Sequence, residues 1–98
     1  MTTPQTSAES SPTTRPILVV DDDRKIVALV RAYLEREGFT VIAAYDGRQA
    51  LSQARAEDPA LIVLDLMLPE LDGYEVMRLL RADTDVPVLM LTARSSLP

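Results

Sequence analysis

Two short apolar runs, Ile17 to Val20 and Ala60 to Leu64, each stop on an aspartate. Both are too continuous for strands with one wet face, so each must be covered on two sides. Such runs alternate with helical patterns along the chain, and that alternation specifies an α/β fold with a parallel sheet under helices. The first strand is followed by Asp21, Asp22 and Asp23, then by Ile26, Val30, Tyr33 and Leu34 at helical spacing as far as Gly38. Thr40 to Ala44 is β-branched enough for a second strand, and Asp46 with Gln49 forms a capping-box pair that opens a second helix, closed by Pro59. After the third strand and the Pro69 loop, Asp72 and Glu75 repeat that pair. A third helix is expected over roughly Tyr74 to Ala82, then a fourth strand over Val86 to Leu91 that ends at Thr92. The predicted order is β-α-β-α-β-α-β.

Ninety-eight residues hold one compact domain or part of one. Met1 to Arg15, made of Thr, Ser, Pro, Gln, Ala and Glu before its final arginine, lacks apolar periodicity and is expected to be a disordered tail, leaving 16–98 as the folded part. With 15 acidic against 10 basic side chains the net charge is -5, which repels nucleic-acid phosphates and anionic lipid headgroups, so neither is expected as a direct partner. The absence of cysteine and histidine excludes disulfides, thiolate or imidazole metal sites and Ser-His-Asp or Cys-His catalysis. No run approaches the ~20 apolar residues that span a bilayer. The N-terminus lacks a basic segment followed by an apolar one, and with no cysteine the chain is expected to be cytoplasmic.

Parallel strands put all their C-terminal ends at one sheet edge, where open α/β sheets bind ligands. Asp21, Asp22, Asp65 and Thr92 end three of the four strands. If the first and third strands are neighbours, three carboxylates share a pocket. At ~4 Å and an effective dielectric of ~20, each like-charged pair costs about 4 kcal/mol, so the cluster must hold protons or a cation. Mg²⁺ fits an all-oxygen site without His or Cys, and a carboxylate beside it can attack a phosphoryl group. Plainer roles stand beside these. Asp23 is most simply the N-cap of the first helix, Asp46 and Asp72 are caps, and Asp21 and Asp22 can also be read as solvated turn residues. Lys25, the single lysine, suits a solvated first turn, and Met67 and Met77 suit space-filling.

Four segments together resemble the receiver domain of bacterial two-component response regulators over roughly Pro16 to Arg94. Ile17-Leu18-Val19-Val20-Asp21-Asp22-Asp23 is similar to that family's first strand and acidic pair, and Leu61-Ile62-Val63-Leu64-Asp65 to its phospho-acceptor strand. Leu66-Met67-Leu68-Pro69-Glu70-Leu71-Asp72-Gly73 resembles the loop that follows, and Pro87-Val88-Leu89-Met90-Leu91-Thr92-Ala93 the fourth strand with its switch hydroxyl. The wording is most like receivers joined to winged-helix DNA-binding domains. The resemblance implies a flavodoxin-like doubly wound sheet of order 2-1-3-4-5. It also implies phosphorylation of Asp65 by a sensor histidine kinase, Mg²⁺ held by Asp21, Asp22, Asp65 and the Met67 carbonyl, and Thr92 as the hydroxyl that senses the phosphoryl group.

Measured against that family, the chain is expected to be C-terminally truncated, an incomplete flavodoxin-like fold without the last helix, strand and helix and without the family's lysine and switch aromatic. Loss of such a charge stabiliser typically slows a reaction on the order of 10²- to 10³-fold. The first helix is apolar at Ile26, Val27, Leu29, Val30, Tyr33 and Leu34, broader than a sheet alone covers. Self-association through this face and an open edge strand, marginal stability, or both are therefore expected. The chain is read as a phospho-acceptor module and not an enzyme. The alternative is a degenerate receiver that acts only by protein binding. A Mg²⁺-dependent phosphohydrolase built on Asp21-x-Asp23 would expect a threonine where Lys25 stands.

Overall fold

The computed structural model describes residues 15–91. Seven elements follow one another: β1 (Ile17–Val20), α1 (Arg24–Arg36), β2 (Val41–Ala44), α2 (Gly47–Glu57), β3 (Leu61–Asp65), α3 (Gly73–Asp83) and β4 (Val88–Leu91). All strand pairs are parallel, in the order β2-β1-β3-β4, which is the flavodoxin-like arrangement. β1 is central and buried along its whole length.

Alternation along the strands separates two cores. Leu18, Val20, Ile62 and Leu64 point to the side covered by α2 and α3, where they meet Ala50, Val76 and Leu80. Ile17, Val19 and Val63 point to the side of α1 and pack with Val27 and Val41. Burying a side chain such as Leu18 or Ile62 fully contributes about 2 kcal/mol, so the strand runs themselves supply much of the drive to fold.

Each helix begins where the sequence supplies a side-chain acceptor. The Asp23 carboxylate accepts from the Lys25 N–H at 2.9 Å and Asp46 from the Gln49 N–H at 2.8 Å. Asp72 likewise accepts from the Glu75 N–H at 3.0 Å. The capping box at α2 reaches one residue further back than expected, since Gln49 Oε1 accepts from the Tyr45 N–H. At α3 only half the box forms, because Glu75 turns to Arg78 instead. Two residues after α1 the chain turns at Gly38, whose φ of +95° is a backbone conformation that side chains other than glycine resist.

Two boundaries differ from the sequence expectation for identifiable reasons. β4 starts at Val88, not Val86: the Val86 N–H is held by Thr84 Oγ1 and its carbonyl by Arg81, so neither is free for a ladder. Arg15, counted with the tail from sequence, donates to the carbonyls of Asp58 and Pro59 and to the Asp58 carboxylate. The expected tail before it, and Thr92 with all that follows, lie outside the described residues. Among the described residues no helix is long and apolar enough to cross a membrane.

Candidate functional site

Because β1 and β3 are neighbours in register, with Val20 beside Leu64, the residues that end them are brought together. Asp21, Asp22 and Asp65 each place a carboxylate oxygen within 4.8 Å of the others. Asp21 and Asp65 are buried and Asp22 is exposed, so the cluster has a closed floor and one wet side.

Backbone amides hold the two buried carboxylates in place. Asp21 Oδ1 accepts from the Asp23 N–H at 2.9 Å, while Asp65 Oδ1 accepts from the Met67 N–H at 3.0 Å. Each aspartate therefore keeps a second oxygen for another partner. Burial pushes the Asp21 carboxyl above its ordinary value of 3.8; the Asp23 amide opposes this, and the charges of Asp65, Asp22 and Asp23 add to the rise. Three carboxylates at this spacing repel one another, and the donor set is entirely oxygen. Both properties fit a hard divalent cation, which takes carboxylate oxygens and completes its shell with water.

Gly73 ties α3 to this edge. A Cβ there would lie 2.6 Å from the Leu66 Cα and 2.8 Å from the Asp65 carbonyl oxygen, so the helix start can approach the acceptor strand only without a side chain. The Gly73 N–H donates to the Leu66 carbonyl at 3.2 Å, and the Leu66 N–H to Leu91 at 3.0 Å. Those bonds fix the loop that carries Met67 between its neighbours. Of the residues singled out from sequence, Asp21, Asp22 and Asp65 converge, Met67 contributes an amide to Asp65, and Thr92 lies outside the described residues. Asp23, Asp46 and Asp72 are caps, as read.

Two features were not anticipated. The Arg24 guanidinium stacks 3.9 Å from the centre of the Tyr45 ring, and Tyr74 stands exposed beside Asp22. The Asp72-Gly73 pair was a legible hint that a helix starts close to the strand end. Nothing in the local pattern tells which way Tyr74 faces.

Known proteins share this arrangement. The family described as response regulator receiver domain matches residues 17–98. The alkaline phosphatase synthesis transcriptional regulatory protein PhoP of Bacillus subtilis is 54% identical over 81 residues, covering 82% of this chain and 34% of that protein. The DNA-binding response regulator MtrA of Mycobacterium tuberculosis is 48% identical over 79 residues, covering 81% of this chain and 35% of its own. The chain thus spans about a third of the length of the curated relatives it matches. Among solved structures, the N-terminal domain of a response regulator receiver protein from Methanoculleus marisnigri superposes with a TM-score of 0.78 at 41% identity, over 85% of this chain and 70% of that one. With the order β2-β1-β3-β4 and an acidic cluster at the strand ends, the chain belongs to the response regulator receiver domain family of two-component signalling.

Proposed function

We propose that Asp65 is the phospho-acceptor of this receiver and that transfer requires Mg²⁺. Asp21, Asp22 and Asp65, with the Met67 carbonyl, would hold the ion. Bound there, it would neutralise charge on the phosphoryl oxygens. The donor is a phosphohistidine on a sensor kinase. An Asp65 carboxylate oxygen forms the new bond to phosphorus as the P–N bond breaks, and the electron pair of that bond returns to the imidazole nitrogen. Thr92 is the hydroxyl that would bond a phosphoryl oxygen afterwards. Regulation of transcription is the output proposed for the protein in which this receiver acts, by analogy with the relatives named above.

The observation that carries this reading is the buried Asp65 carboxylate, aligned by the Met67 amide and facing two further carboxylates. The test is intact mass after incubation with acetyl phosphate. A single phosphoryl adduct is expected that needs Mg²⁺ and is absent from Asp65→Asn. An adduct that persists in Asp65→Asn would overturn the assignment.

Self-association is a second proposal, on a separate observation. Leu89 and Leu91 on β4, with Leu29 and Tyr33 on α1, remain exposed. The β2 edge is blunted where the Arg31 guanidinium bonds the Val41 carbonyl at 3.0 Å, whereas among the described residues nothing pairs with the outer edge of β4. Sedimentation is expected to show concentration-dependent association of the chain, and a sharp monomer at all concentrations would contradict it.

A further inference from the structure

The carboxylate cluster borders a shallow depression of about 420 Å³ that Asp22 shares with Met67, Pro69, Asp72 and Tyr74. Met67 and Tyr74 are 57% and 67% exposed, and neither belongs to the two cores. Large apolar side chains without a packing role, next to a reactive group, offer a surface to something that visits that group. The Tyr74 position is also rigid. It sits in the first turn of α3, directly after Gly73, whose close approach to Asp65 and Leu66 fixes the helix start against the acceptor strand.

The chemistry of the lining narrows the visitor. Of the two carboxylates among these residues, Asp22 is committed to the proposed Mg²⁺ site and Asp72 remains as the negative charge of the rim, while no lysine or arginine stands there. An aromatic face attracts cations, a thioether accepts flat rings, and the acidic rim favours positive charge. Together they suit a flat cationic ring and offer nothing to a small anionic leaving group. We propose that Tyr74 is a specificity-determining residue that receives the leaving ring of an N-phosphoimidazole donor, so that the site prefers ring-nitrogen phosphodonors over acyl phosphates. This rests on the reading of Asp65 as acceptor. The ring arrives protonated on its free nitrogen; as the Asp65 oxygen bonds to phosphorus, the P–N electron pair returns to the ring, which departs as neutral imidazole. Cationic on entry and neutral on exit, the ring is held by the acidic rim before transfer and released after it.

The experiment measures initial phosphorylation rates of the full chain by intact mass, with Mg²⁺ and either N-phosphoimidazole or acetyl phosphate, and reports their ratio. The ratio is expected to fall about three- to fivefold in Tyr74→Ala, to be kept in Tyr74→Phe and to fall further in Tyr74→Lys, where like charge repels the ring. Labelling by both donors with the same ratio in wild type, Tyr74→Ala and Tyr74→Lys would overturn the inference while leaving Asp65 as acceptor. No labelling of the wild type by either donor would overturn both.

Discussion

On the side of the sheet under α2 and α3, Leu18, Ile62 and Leu64 have no exposed surface, while on the side under α1 the β4 residue Leu89 is 52% exposed and Leu29 of the helix itself 67%. The same strands supply both sides, and alternation alone decides which side chain enters which environment. Among the described residues, two helices close one core and a single helix half-closes the other. The closed face carries most of the core, the open face is the one for which self-association is proposed, and the acidic residues sit at the rim that both share.

Truncation in the closed core should give the largest effect on this contrast. Leu64→Ala is expected to lose about 3 kcal/mol of unfolding free energy, because the removed atoms leave a cavity between α2, α3 and the sheet. Leu89→Ala, on the neighbouring strand but facing the open side, is expected to lose less than about 1 kcal/mol. Urea midpoints of the two variants check this, and equal losses would mean that the α1 side is closed in solution.

At the shared rim the expected effect is smaller and of opposite sign. The folded Asp21 carboxyl titrates above its unfolded value, so its favourable contribution is complete below pH 3.8 and disappears as pH rises through the folded value. At neutral pH the ionised group weighs against the metal-free fold. Asp21→Asn, which keeps an oxygen acceptor for the Asp23 amide, is expected to stabilise that fold at neutral pH and to flatten the dependence of its stability on pH. Mg²⁺ should raise the thermal midpoint of the wild type and not that of the variant. Thermal melts across pH, with and without Mg²⁺, read both effects.

The smallest expected change in stability lies on the open face. Leu29→Gln should alter the unfolding free energy by no more than about 0.5 kcal/mol, since the side chain is largely in water already. It should nevertheless weaken self-association in sedimentation. A large loss of stability would place Leu29 inside an obligatory contact.

Much of this architecture was legible in the residues, for local reasons. Continuous apolar runs gave β1 and β3, β-branched residues gave β2, and a further apolar run gave β4, although Leu89 and Leu91 on it face water. The capping residues Asp23, Asp46 and Asp72 gave the three helix starts, and the register of β1 with β3 turns two strand-ending aspartates into one cluster. What escaped detection depends on partners distant in sequence or on direction. Arg15 is ordered by Asp58 and Pro59, more than forty residues away. Val86, the first residue assigned to β4, is diverted by Arg81 and Thr84. The direction of Tyr74 is not encoded in its neighbours, and it depends on where Gly73 sets the start of α3 against the acceptor strand. Val27 and Leu29 are equally apolar in the sequence, yet one is buried and the other is not, because α1 presents one flank to the sheet and the other to water.

The Arg15 clamp also settles where attachments can go. It grips the turn before β3, so Arg15 itself is fixed at the end of the sheet opposite the carboxylates. An affinity handle, a surface tether or a fluorophore placed ahead of this arginine would leave the carboxylates facing solution, and the chain could be immobilised there with its reactive end free for a phosphodonor.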